Sequence, residues 1–299
     1  MSDVIEQNTD NAPVETKPNA SGGGIVKRLS KAKATRPGET YGVPGQGDTL
    51  LLSVATIFIL IAVWWLVTAM GWVKPLFVPS PGAIVSKFFS TLESGFTGTS
   101  LLVHVGVSTA RVFSAFILAC VVGIPLGLAM GMSPLIRGIF DPPIEFYRPI
   151  PPLAYLPLMI IWFGIGETSK VLLIFLSVFA PVALGARSGV KSAAIEQIHA
   201  AYSFGASRWK VMRYVILPAA MPEILTAMRI GIGFGWTTLV AAEMVAATKG
   251  IGYMVLSASQ FLQTPTVIMG IIIIAAIAYA FDMLMRFIEH KLVPWKGKA

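Results

Sequence analysis

A chain of 299 residues that is 55% hydrophobic and only 13% charged, with a mean hydropathy of +0.73, carries about half the charge of a soluble domain, for which roughly 25% is usual. Its single cysteine, Cys120, excludes an internal disulfide, a cysteine-based zinc site and an iron–sulfur centre. The net charge of +8 does not point to nucleic acid, because the basic residues are scattered between apolar runs instead of gathered on one soluble face.

Residues 1–48 are polar and include the run Ser21, Gly22, Gly23, Gly24. Such a stretch buries too little apolar area to offset its ordering entropy, so a disordered cytoplasmic tail is expected, followed by a transmembrane domain over 49–299. No apolar run follows the start directly, so no cleavable signal is expected and the first span is kept as an anchor.

Six transmembrane helices are predicted, at 50–70, 112–132, 150–166, 171–186, 222–247 and 266–288. The apolar run Leu101 to Met132 exceeds one perpendicular crossing and is broken by Arg111, so its first turns are expected to project beyond the bilayer. Glu167, Thr168, Ser169 and Lys170 separate the third and fourth spans and predict a tight helical hairpin. Glu243 and Asp282 are acids inside the last two spans, and Asp282 is four residues from Arg286, a spacing that pairs them on one helix face. Six spans put both ends on one side. With those ends inside, the inner segments hold 17 lysines and arginines and the outer ones four, Lys74, Lys87, Lys170 and Lys249. Positive charge is retained inside, so both termini are expected in the cytoplasm.

The basic inner loop Arg187 to Met221 carries Ile195, Ile198, Ala201 and Tyr202 at helical spacing, and Trp209, Met212, Val215 and Ile216 repeat the pattern after Gly205. Two short amphipathic helices are predicted, the first ended by Gly205, the second capped by Ser207 and stopped by Pro218. Their apolar stripes fit either the membrane interface or a groove on a soluble partner. Gly123, Gly127 and Gly131, and again Gly231 with Gly235, form small-residue stripes that suit close helix packing, within the chain or against a second copy. Pro125 and Pro157 lie within spans, where lost hydrogen bonds are tolerated beside neighbouring protein or a water-lined path.

His199, Ala200, Ala201 and Gly205, with Ala206, Ser207 and the distal Ile216, Leu217, Pro218, resemble the coupling loop of permease subunits of bacterial binding-protein-dependent ABC importers. The chain departs from that pattern at His199, where the family usually has glutamate. Tyr147, Arg148, Pro149, Ile150, Pro151, Pro152, Leu153, Ala154, Tyr155, Leu156, Pro157, then Trp162, Phe163, Gly164, and the stretch Gly235 to Glu243 with Pro294 and Trp295, resemble the branch serving taurine, aliphatic sulfonates and nitrate. The resemblance covers about residues 50–295 and implies a permease of the bacterial inner membrane, with taurine as its solute. It implies a homodimer in membrane lipid, two ATP-binding subunits that hold the ATP and magnesium, and an external taurine-binding protein. No cofactor, metal or catalytic residue is implied for this chain.

Within that resemblance Arg111 could meet a sulfonate and Glu243 an ammonium, with Trp236, Thr237 and Thr238 beside them along a translocation path. The alternatives are snorkelling for Arg111 and a structural hydrogen bond near the outer interface for Glu243. The chain has no G-x-x-x-x-G-K-[ST] phosphate loop, no H-E-x-x-H and no G-x-S-x-G, which argues against an ATPase and an intramembrane enzyme. A secondary transporter would show repeated halves or more intramembrane charge.

Overall fold

The computed structural model describes residues 50–294; the expected tail over 1–48 and Trp295 lie outside the described residues. The first helix, α1 (Leu50–Ala69), is an uncharged 20-residue rod, and up to Val67 it lies in a unit separate from the rest of the chain. At ~1.5 Å per residue its length matches the ~30 Å hydrocarbon core.

The second unit begins with two serine-capped helices. Ser80 accepts from the Ala83 N–H at the start of α2 (Pro81–Ser94), and Ser100 from the Val103 N–H at the start of α3 (Leu101–Met132). Ser133 repeats the Ser-Pro start at α4 (Pro134–Tyr147). A hydroxyl that satisfies an orphan N–H, next to a proline that needs none, is a strong helix-start signal.

Next come α5 (Pro152–Phe163) and α6 (Glu167–Gly189). The turn between them is Gly164–Gly166, with Gly164 at φ 77°. Glu167 to Lys170, expected as the hairpin link, instead form the first turn of α6, because three residues with a glycine at each end already reverse the chain. Helix α5 has 12 residues and is about 18 Å long. Among the described residues five helices are therefore long and apolar enough to cross a membrane, and the expected third span is not one of them.

Helix α6 is the interior helix, packed between α3 and α9 (Leu217–Ala246). The glycine stripes make this possible. A Cβ on Gly127 would lie 2.2 Å from the Ala183 carbonyl oxygen, and one on Gly131 2.4 Å from the Val190 side chain. Gly231 and Gly235 face Val178 in the same way. The stripes thus serve packing within the chain.

These contacts set direction. On α3, Arg111, Gly127 and Gly131 face Glu167, Ala183 and Val190 in rising order, so α3 and α6 run parallel. On α9, Ala220, Ala227 and Gly235 face Gly189, Gly185 and Val178, so α9 runs antiparallel to α6. Two successive parallel helices require residues 133–166 to carry the chain back from the far end of α3 to the near end of α6.

The remaining helices are α7 (Ile195–Ser203), α8 (Arg208–Val211), α10 (Ile251–Gln260) and α11 (Thr264–Leu292). Phe281 of α11 packs edge-on against Phe113 and Phe116, with centroids 4.9 and 5.4 Å apart. Asp282 accepts from Arg286 at 2.8 Å, as its spacing predicts, and also from Arg229 of α9 at 3.0 Å. Arg229 reaches Glu289 as well, at 3.2 Å.

Candidate functional site

Three places stand out in the second unit: an elbow joining α6 to α9, an ion cluster at the opposite helix ends, and a cavity beside α6 and α9.

The elbow is built from α7 and α8. Gly205 has φ 76° and no heavy atom within 4 Å of a notional Cβ, so backbone geometry alone selects glycine there. His199 and Ala200 are exposed, Ala201 and Ala206 are half-buried, and Ser207 stands at the start of α8 with no side-chain capping bond. Pro218 does not stop the second helix as expected. The chain passes from α8 through a π turn, Met212–Ile216, directly into α9, with Pro218 in its first turn. The Leu217 N–H donates to the Met212 carbonyl, five residues back; this wider register lets the helix continue into a segment where proline supplies no N–H. Phe204 is 92% exposed, and Ile195, Trp209 and Tyr214 are uncovered beside the basic Arg208, Lys210 and Arg213. Sequence periodicity missed Phe204, which falls between the two stripes.

The ion cluster gathers Arg111, Glu167, Lys170 and Glu243. Arg111 donates to Glu167 from Nε at 2.5 Å and Nη2 at 2.6 Å, and to Glu243 from Nη1 at 2.6 Å. Its Nη1 also donates to the Lys249 carbonyl at 2.8 Å, so four of its five N–H donors are engaged. Glu243 is fully buried and accepts further from the Ser108 hydroxyl at 2.8 Å and the Gly252 N–H at 2.8 Å. The Ser108 oxygen in turn accepts from the Ile251 N–H at 2.8 Å, which ties the start of α10 to α3. Gly250 must be glycine: its φ is 130°, and a Cβ would lie 2.4 Å from the Glu243 carboxyl carbon. The Gly250 N–H donates to His104 Nδ1 at 3.1 Å. Lys170, buried, donates to Glu167 at 3.0 Å.

Arg111 and Glu243, read from the sequence as two ends of a solute site, are thus bonded to each other. Trp236 and Thr238 are buried, while Thr237 is exposed on the other face of α9 and donates to the Phe234 carbonyl at 2.8 Å. Glu167 and Ser108 were missed as partners because their separations of 56 and 135 residues leave no periodic trace.

The cavity has a volume of about 580 Å³ and lies between the α4–α5 link, the elbow-side half of α6 and the facing half of α9. Among the described residues no cluster of histidine, cysteine, aspartate or glutamate could hold a metal.

The family described as "binding-protein-dependent transport system inner membrane component" matches residues 123–294. The chain is 52% identical over 248 residues to the taurine transport system permease protein TauC of Escherichia coli (strain K12), covering 83% of this chain and 90% of that protein. It is 34% identical over 277 residues to the putative aliphatic sulfonates transport permease protein SsuC of Bacillus subtilis (strain 168), covering 92% of this chain and 96% of that one. Among solved structures, the inward-facing MetNI methionine ABC transporter superposes with a TM-score of 0.51 at 20% identity, over 62% of this chain and 94% of that chain. That likeness establishes the fold. With the matched region running from the glycine stripe of α3 through the elbow to the end of α11, the chain belongs to the permease components of bacterial binding-protein-dependent ABC importers, as a multi-pass protein of the all-α type without catalytic machinery of its own.

Proposed function

We propose that this chain forms the membrane path for taurine in an ATP-driven importer of the inner membrane. Two copies act as a homodimer with two ATP-binding subunits, which hold ATP and magnesium, and with an external taurine-binding protein. The observation that carries this reading is the elbow. It exposes Phe204, Trp209 and Tyr214 amid arginine and lysine around the Gly205 turn, and an apolar surface ringed by charge fits a groove on a soluble subunit. His199, Ala200, Ala201, Gly205, Ala206, Ser207 and Pro218 form that docking element. Taurine rests on the 52% likeness to the E. coli permease, and aliphatic sulfonates are the second reading, from the 34% likeness.

The parallel run of α3 and α6 supports a sixth crossing made by 133–166, with α5 as its membrane-embedded part, and hence both termini in the cytoplasm. Thr237 faces the path, whereas Arg111, Trp236, Thr238 and Glu243 hold the helices that frame it. Uptake of labelled taurine into proteoliposomes holding all subunits tests the substrate: ATP-dependent import is expected. Import of ethanesulfonate without import of taurine would reject taurine and support the sulfonate reading. Reporter fusions at Ala299 and near Gly95 should report opposite compartments; the same compartment for both would reject six crossings.

A further inference from the structure

The cavity beside α6 and α9 has apolar walls and charge at two points. Arg148 and Glu223 both line it, with the hydroxyl-bearing Tyr155, Ser177 and Thr226 between apolar neighbours such as Ile230. Arg148 has one ion pair among the described residues, a 3.4 Å contact with Glu145, which also meets Arg187 at 3.6 Å. Glu223 makes no ion pair among the described residues. Glu223 is thus open and Arg148 holds a single long contact, whereas the charges of the Arg111 cluster satisfy one another at 2.5–3.0 Å.

A further acceptor comes from the backbone. Pro181 lies inside α6 and also lines the cavity. Lacking an N–H, it deprives the Ser177 carbonyl, four residues earlier, of its helical donor. In an apolar wall such a carbonyl needs another partner. A volume of about 580 Å³ is in the range of small-ligand sites, which are apolar with a few placed polar groups.

We propose that this cavity is a solute-binding station on the elbow side of the path, shaped for a small zwitterion. Its anionic end is held by Arg148 and its ammonium by Glu223 and the Ser177 carbonyl. The proposal rests on the taurine reading for the identity of the zwitterion, but the two separate under test. Such a station is matched to a β-aminosulfonate and binds a simple alkanesulfonate less well, because the latter leaves Glu223 unpaired.

The test uses the complete importer in proteoliposomes. Cys120 is replaced by alanine and Ser177→Cys introduced, so the permease band carries a single thiol; Thr226→Cys serves as the second position if Ser177→Cys does not insert. The thiolate attacks 2-aminoethyl methanethiosulfonate at its sulfenyl sulfur, forming a disulfide and releasing methanesulfinate. Taurine at ten times its half-protecting concentration should slow labelling about tenfold, as simple occupancy requires. Ethanesulfonate should protect less. Glu223→Gln should raise the half-protecting concentration of taurine about tenfold, the size of one charge-assisted hydrogen bond, and leave that of ethanesulfonate unchanged. Arg148→Gln should raise both. Absence of taurine protection, or equal shifts for both solutes in Glu223→Gln, overturns the station whatever the uptake result. Protection without taurine uptake keeps the station and rejects taurine as the transported solute.

Discussion

Charge appears at two ends of this permease in opposite conditions. At the Arg111–Glu243 cluster every carboxylate and guanidinium is bonded inside the chain, down to the backbone N–H groups that start α10. At the elbow and the cavity, arginine, lysine and glutamate face outward beside uncovered aromatic residues or an open volume. An intramembrane charge is by default a functional candidate, yet the satisfied set fastens helices, and only the set left open offers groups to the docking subunit and the solute proposed above. Counting the donors that remain to each group, instead of the charges, separates the two.

The largest effect should come from unbalancing the fastening. Arg111→Ala leaves Glu243 buried without its cation and should cost about 3–5 kcal/mol, read as a loss of thermal stability in detergent. Replacing both Arg111 and Glu243 with methionine should recover most of that loss; no recovery would mean the pair does more than fasten. Next is the helix contact on which the cluster sits. Gly127→Leu drives a side chain onto the Ala183 carbonyl and should destabilise by about 1–3 kcal/mol without changing the exposed face of the elbow.

At the other end the effects should fall on coupling. Gly205→Val strains a residue at φ 76° by about 1–2 kcal/mol, so the permease should insert but bind or stimulate its ATPase poorly. Gly205→Asn should keep more coupling, since asparagine tolerates that region; equal loss in both would point to the volume of the side chain, not to the backbone. The smallest effect belongs to His199→Ala, on an exposed helix face, which should shift stability by less than about 0.5 kcal/mol. A larger change in ATPase stimulation at His199 would mark it as a contact.

Much of this division was legible in the residues themselves. Apolar length marked α1, α3, α6, α9 and α11, and the i,i+4 spacing of Asp282 and Arg286 gave a pair that the structure contains. The glycine stripes signalled close packing but not against what, because a helical stripe defines a face and carries no information on its neighbour. Arg229 joining Asp282, and Arg111 joining Glu167 and Glu243, depend on how three helices are rotated about their axes. Composition also overstated α5: an apolar run with prolines at its start and a glycine at its end yields a short helix, whatever its hydropathy. At Pro218 local propensity predicted a stop, and the π turn shows the helix accommodating it with a wider hydrogen-bond ring.

The parallel pairing of α3 with α6, riveted at one end by Arg111, has a mechanical consequence. Helices packed along their length and bonded to one another at one end can tilt together as levers with a fulcrum there. Helix α9 has 30 residues and is about 45 Å long at ~1.5 Å per residue, so a tilt of about 10° about the pinned end displaces the elbow by roughly 8 Å while the Glu243 end hardly moves. In the proposed importer, a small closure of subunits docked at the elbow would then be sufficient stroke, delivered where the cavity lies and absorbed where the ions hold.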